Sequence, residues 1–295
     1  MGISDIEIIC ICPFLDVDNI KIHFSSRFNS FPLTDQELKQ KIEDTWNDAL
    51  EKNPRIWNQS KFRYHSVNYN ENERRCILNL GFTDYKSFIT TNNSDLHDNL
   101  FERGLSDWND GDAYIGNPMG NQACICTSDH YMVLIQRSQF VSESKGRAAG
   151  PGGHPEPEYL SLKEAPKEED ASINNVIAIE LYKSILKEIY EETSIPISSV
   201  YINKLIGFMR NKVTGGRQGM LFFCKTTLSK EQVLEEYRKG VQDQYESINL
   251  VFIPLMDILN KKLPVLLYSP ESEAIFVCLQ QLYMNNKQQT EAICL

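Results

Sequence analysis

The stretch over residues 175–192 constrains the chain most, because Ala178, Leu181, Tyr182, Ile185, Leu186 and Ile189 recur at the spacing of one helical face. At about 100° per residue, that apolar stripe is centred near Ile189, with Glu188 and Glu192 roughly 40° apart at its edge. Both are expected to be partly shielded, while Glu191 and Glu180 project further toward solvent. Two carboxylates about 4 Å apart repel by about 1 kcal/mol in water and about 4 kcal/mol at the effective dielectric of a protein surface. Partial burial therefore favours a bound cation, and a few oxygen donors suit Mg2+ or Mn2+ better than zinc. The competing reading is a solvated acidic helix end neutralised by Lys183 and Lys187.

Around this helix the pattern predicts an α+β chain. Residues 5–13 read as a strand, and Thr34-Asp35-Gln36-Glu37 resembles a capping box opening an amphipathic helix to residue 52. Strands are expected at 61–69 and 74–82, a helix start at Thr83-Asp84, and helical, aromatic-rich sequence through Phe101 and Trp108 to residue 114. The run Gly116-Asn117-Pro118-Met119-Gly120 marks a boundary between an N-terminal α+β unit (1–116) and a second domain (117–295). In the second domain, strands are expected at 123–127 and 131–138. They precede the turn-rich Gly150-Pro151-Gly152-Gly153-His154-Pro155-Glu156, which should gather backbone amides and polar side chains. Residues 158–175 are charged and aperiodic, and are expected to form a mobile surface insertion. Strands at 201–210 and 218–228 flank a Gly215-Gly216 turn, followed by a helix at 229–240 and a strand at 248–254. Ser269-Pro270 caps a last helix reaching residue 284. No internal repeat is present.

The 295 residues are 41% hydrophobic, enough for a sizeable core, and carry a formal net charge of -10. Such a charge excludes a long-range attraction to nucleic acid or to anionic membranes, although a small nucleotide held locally with a cation is compatible with it. No signal peptide is expected from Met1-Gly2-Ile3-Ser4-Asp5, no run approaches the roughly 18 apolar residues of a membrane span, and Cys294 lies too near the end for prenylation. The pairs Cys10-x-Cys12 and Cys124-x-Cys126 could face zinc from a strand, but each lies in an apolar run without His or Cys-x-x-Cys partners. Buried, reduced thiols in a cytoplasmic or nuclear protein are the favoured expectation. The oligomeric state is left open.

Lys187-Glu188-Ile189-Tyr190-Glu191-Glu192-Thr193-Ser194-Ile195 follows a Gly-Gly turn and an Arg-bearing strand, and resembles the second half of the Nudix box, Arg-Glu-apolar-x-Glu-Glu-x-Gly-apolar. Three departures stand out. Gly153, which matches the box glycine, lies far upstream across the 158–175 insertion; Lys187 replaces Arg; Ser194 replaces Gly. Three further segments extend the resemblance along nearly the whole chain, to the UDP-glucose diphosphatase branch of the Nudix hydrolases. They are Lys61-Phe62-Arg63-Tyr64-His65-Ser66, Leu80-Gly81-Phe82-Thr83-Asp84-Tyr85 and Pro151-Gly152-Gly153-His154-Pro155-Glu156-Pro157.

The resemblance implies a Nudix α/β/α sandwich with an N-terminal α+β unit, and Mg2+- or Mn2+-dependent hydrolysis of UDP-glucose or UDP-galactose to UMP and hexose 1-phosphate. By it, Glu188 and Glu192 bind the metal with Glu191 in support, and Glu188 or Glu191 accepts a proton from water. Trp57 and Tyr85 would contact the nucleotide, Arg137, His154 and Glu156 would line the diphosphate and sugar, and Ser142 and Ser272 would complete the substrate set. Where the branch has an Asp before Pro-Gly-Gly, this chain has Ala149. On their own residues, Trp57 and Tyr85 also read as core aromatics, Arg137 as an ordinary ion-pair partner and His154 as the closing residue of a turn. Two other functions stay open: a Nudix hydrolase of ADP-ribose or a dinucleotide polyphosphate, and a catalytically silent nucleotide-binding module.

Overall fold

Runs rich in Ile, Phe, Val and Cys build two sheets in the computed structural model, which describes residues 5–138, 144–240 and 247–295. The first half contains β1 (Ile6–Leu15), β2 (Ile20–Phe24), α1 (Gln36–Lys52), β3 (Ser60–Asn70), β4 (Arg75–Asp84), α2 (Tyr85–Ser87) and α3 (His97–Trp108). Next come β5 (Gly120–Cys126), β6 (Tyr131–Arg137), β7 (Ala148–Ala149), β8 (Gly152–Gly153), α4 (Ala171–Thr193), β9 (Val200–Asn211) and β10 (Arg217–Thr226). The chain closes with α5 (Lys230–Arg238), β11 (Ser247–Pro254), α6 (Leu255–Leu259), α7 (Pro270–Asn285) and α8 (Lys287–Cys294). The larger sheet runs β1-β9-β10-β5-β6-β11, with β7 on β6 and β8 on β5; the smaller runs β2-β4-β3. Among the described residues, only β5 and β10 of the larger sheet's strands pair in parallel.

The larger sheet is buried on both faces, as its nearly continuous apolar strands require. Along β10, Met220, Phe222 and Cys224 join a core with Ile177, Leu181 and Ile185 of α4. The alternate residues Leu221 and Phe223 pack with Ile275, Phe276 and Leu279 of α7. This is the α/β/α layering expected. Phe24, Phe62, Leu78 and Leu80 of the smaller sheet enter the α4-side core, so that sheet and α4 share one interior. β1 pairs with β9, so the first strand of the chain belongs to the larger sheet and not to the smaller one.

Arg63 explains much of the Lys61–Ser66 segment. It is buried and donates to the carbonyls of Phe28 (2.8 Å), Ile115 (3.2 Å) and Asp112 (2.6 Å), tying the segment at Phe28 and the connection after α3 to β3. Gly81 is needed because a Cβ there would stand 2.4 Å from the same Phe28 carbonyl oxygen.

Several expectations are corrected. α1 is capped by Asp35, not Thr34: the Asp35 carboxylate accepts from Glu37 N (2.9 Å) and Leu38 N (3.1 Å), and a charged acceptor satisfies helix N-terminal amides well. α4 starts at Ala171, four residues before the expected start, because the Asp170 carboxylate caps Ser172 N and Ile173 N. The stretch read as a mobile insertion is instead fastened to the smaller sheet's margin. Pro166 O accepts from Ser26 N (2.7 Å), Lys167 O accepts from Ser25 Oγ (3.1 Å), and Glu169 pairs with His23 (3.2 Å) and Arg27. Ala165 is buried, and Leu160 and Leu162 pack on the core beneath.

The helix α4 ends at Ser194, which has φ +59°. The left-handed region penalises any residue with a Cβ, and Ser194 is the position where the resembled box has Gly. Ser194→Gly is therefore expected to stabilise the fold by about 1 kcal/mol, read as a raised Tm; a lowered Tm would mean that the Ser194 Oγ bond to Gly240 O (3.0 Å) outweighs the strain. All eight cysteines are free, Cys10 half-buried and the rest buried. Among the described residues no helix is long and apolar enough to cross a membrane.

Candidate active site

The acidic end of α4 meets the Gly-Gly strand. β8 pairs with β5 through Asn121–Gly153 and Gln122–Gly152, which lays its backbone across the turn bearing Glu188 and Glu192. Glu192 is only 2% exposed, and its Oε2 accepts from Gly152 N at 3.1 Å. A Cβ on Gly153 would stand 2.2 Å from Glu188 Oε1, so the carboxylate lies against bare backbone. Asn121 locks strand to helix, accepting from Gly153 N (3.1 Å) and donating to Ser184 Oγ of α4 (2.8 Å). The residues between β8 and α4 loop out over the smaller sheet and return, so the sequence distance between Gly153 and Glu188 is no spatial distance. Glu191, half-buried, lies 3.8 Å from Lys187.

A cleft of about 260 Å³ opens over this junction, with Tyr85, Phe88, Arg137, His154, Arg217 and Glu271 among its walls. Arg137 reaches to within 3.9 Å of Glu192 Oε1. His154 Nε2 lies 2.9 Å from Arg217 Nη1, and Arg217 Nη2 donates to Glu271 Oε1 at 3.0 Å. Burial first, then the Arg217 and Lys61 charges, push the His154 pKa well below the ordinary imidazole range. The cleft thus carries Arg137 and Arg217 in its walls; Glu188 and Glu192 are not among its lining residues but lie directly behind Gly152, Gly153 and Arg137, which are.

The other sequence-derived residues are placed as follows. Tyr85 is on the cleft wall, set edge-on to Trp46 at 6.5 Å. Trp57 is not: it is 64% exposed. It connects inward through Gln59: with the amide turned so that its oxygen faces Trp57, it accepts from Trp57 Nε1 (3.2 Å) and donates to Glu156 Oε1 (3.3 Å), the orientation that satisfies both ends. Glu156 is paired with buried Lys61 at 2.5 Å. Ser272 is buried beneath the turn, its hydroxyl accepting from Gly150 N (3.0 Å) and Ser269 Oγ (3.1 Å), while Ser269 itself lines the cleft. Ala149 lines it as well. Ser142 lies outside the described residues.

Sequence reasoning passed over Arg217, Glu271, Phe88 and Asn121. Arg217 did carry a signal, as the first side chain after the Gly215-Gly216 turn, and so did Glu271, as an acid in the first turn behind the Ser269-Pro270 cap.

The donor set can be tested against a divalent ion. Among the described residues, no three His, Cys, Asp or Glu side chains form a metal cage. Two carboxylates beside a phosphate-sized cleft nevertheless fit Mg2+ or Mn2+, which usually keeps several waters and takes one or two protein carboxylates plus substrate oxygens. Zinc would want nitrogen or sulfur ligands, and the free cysteines lie in the cores.

No family model matches the chain. It is 30% identical over 253 residues to uridine diphosphate glucose pyrophosphatase NUDT22 of Mus musculus, covering 84% of this chain and 81% of that protein. The Homo sapiens protein of the same name is 30% identical over 259 residues, covering 86% and 84%. Nudix hydrolase 9 of Arabidopsis thaliana is 30% identical over 270 residues, covering 86% and 85%. Likeness over this much of both chains, with the carboxylate helix and the glycine strand assembled as above, shows that the chain belongs to the Nudix hydrolase family, in the uridine diphosphate glucose pyrophosphatase branch, and is a pyrophosphate-hydrolysing enzyme.

Proposed function

We propose that the protein hydrolyses the diphosphate of UDP-glucose or UDP-galactose, giving UMP and hexose 1-phosphate, with Mg2+ or Mn2+ held by Glu188 and Glu192. The observation that carries the reading is the meeting of both carboxylates with the Gly152–Gly153 backbone, which itself lines a cleft whose walls include Arg137. The relatives named for UDP-glucose supply the substrate class. When bound, the ion withdraws charge from the phosphorus and acidifies water.

The chain's own groups do the rest. Arg137 offers a planar pair of N–H donors to a phosphate oxygen pair. Glu188 is the leading acceptor for the proton of the attacking water, because its carboxylate lies against Gly153, a residue of the cleft wall. The Asn121 brace keeps helix and strand in register during turnover. Tyr85 and Phe88 offer flat apolar surface on the same wall as the cationic side chains.

Product analysis on a panel of UDP-glucose, UDP-galactose, ADP-ribose and a dinucleotide polyphosphate tests the reading. UMP with hexose 1-phosphate from the UDP-hexoses, formed only when Mg2+ or Mn2+ is present, is the expected result. Faster cleavage of ADP-ribose or the dinucleotide would move the assignment to another Nudix substrate, and no cleavage of any would leave a binding module.

A further inference from the structure

Arg217 and Glu271 have no part in the scheme above, yet they are built into the cleft with care. Arg217 opens β10 directly after Gly215 and Gly216, whose φ values of +56° and +73° bring the chain sharply into the strand. Glu271 stands in the first turn of α7, and its Oε1 accepts from both Arg217 Nη2 (3.0 Å) and Asn211 Nδ2 (2.8 Å). The Phe88 ring lies 5.6 Å from the guanidinium carbon and 6.1 Å from the His154 ring. Fixed in this way, Arg217 sets Nη1 2.9 Å from His154 Nε2.

A guanidinium can only donate. The nitrogen it faces must present a lone pair, so the His154 imidazole is neutral and carries its one proton on Nδ1. Burial and the neighbouring cations independently disfavour the imidazolium. Among the described residues Nδ1 has no protein acceptor, and His154 lines the cleft, so this N–H is available to whatever enters. An imidazolium would attract any anion from any direction. A neutral N–H of fixed position instead asks for an oxygen at one place.

We propose that Arg217, anchored by Glu271, is a positioning residue that holds His154 as its Nδ1–H tautomer, so that His154 donates a hydrogen bond to an oxygen of the diphosphate sugar. This inference rests on the function proposed above for the identity of the ligand, but not for the tautomer.

Amide substitutions discriminate the two imidazole nitrogens, because an Asn amide nitrogen reaches the place of Nδ1 and a Gln amide nitrogen that of Nε2. His154→Asn is expected to keep kcat/KM for UDP-glucose within about tenfold of the parent, and His154→Gln to lose about a hundredfold, the loss of one charge-assisted hydrogen bond. Arg217→Met should lose about tenfold or more in the parent, yet little further in the His154→Asn background, where no tautomer needs holding. Nitrogen-15 NMR of the parent imidazole, without substrate, should show Nδ1 protonated and Nε2 not. An Nε2–H or doubly protonated ring would overturn the proposal, as would equal losses from Arg217→Met in both backgrounds. The NMR result stands even if Arg217→Met fails to fold. Failure of UDP-glucose to react would instead count against the functional reading and leave the tautomer measurement to be judged by itself.

Discussion

Glu188→Gln is expected to lower kcat for UDP-hexose hydrolysis about a thousandfold, within the range for loss of a general base, while nucleotide-sugar binding survives. The amide has the shape of the carboxylate and can rest against the Gly153 backbone as the acid does. It carries no charge for a divalent ion and cannot take a proton from water at neutral pH. Glu192→Gln should be comparably damaging through the ion alone, since its oxygen can still accept from Gly152 N and its burial is unchanged. Glu191→Gln should cost far less, because Glu191 lies beside Lys187. Single-turnover measurements on the three variants decide the matter. Turnover of Glu188→Gln within tenfold of the parent would remove Glu188 from the role of base and of ligand.

Gly153→Ala is expected to cost about a hundredfold in kcat with almost no change in Tm, a pairing that few other substitutions in this chain should give. The new methyl carbon would fall 2.2 Å from Glu188 Oε1 and 2.6 Å from its Cδ. The obstacle is the tip of a flexible side chain, which swings aside cheaply, so the fold tolerates the change. The carboxylate is nevertheless displaced by the order of an ångström, and misplacement on that scale can cost about a hundredfold in rate. Gly152→Ala provides the contrast: its Cβ would meet the Asn121 carbonyl oxygen at 2.4 Å, which is backbone and cannot yield, so there Tm should fall. Thermal melts and steady-state rates on the two variants separate the effects. A large drop in Tm for Gly153→Ala would show that the Gly-Gly strand, and not the carboxylate, is what the second glycine protects.

How much of this was legible in the sequence depends on whether a feature is decided locally. The α4 stripe was, because period and burial coincide: Ala178, Leu181, Tyr182, Ile185 and Ile189 are all buried in the core. The Ser269-Pro270 cap was also local, and the Ser269 hydroxyl oxygen accepts from Ser272 N; the matching cap at Ser229, read only as part of a helix, went unread. β2 left a trace that went unread, since Ile20, Ile22 and Phe24 alternate with more exposed residues. The order of residues 158–170 could not be read, because it comes from bonds to Ser25, Ser26 and Arg27, far away in the chain. Trp57 read as either core or base platform and is neither packed inside nor on the cleft wall; its link to Glu156 through Gln59 has no sequence signature. Arg217, His154 and Glu271 come from three separate places in the chain, and only the assembled sheet with α7 against it brings them together.

The claim beneath all of this is that two acids one turn apart on α4 hold a divalent ion. It can be tested without substrate by titrating Mn2+ into the protein and following the free-ion signal by electron paramagnetic resonance. The parent should remove Mn2+ from solution, and the Glu188→Gln/Glu192→Gln double variant, folded to the same Tm, should leave it free. Equal uptake by the two proteins would contradict the account, because the ion would then be held somewhere other than the acidic end of this helix.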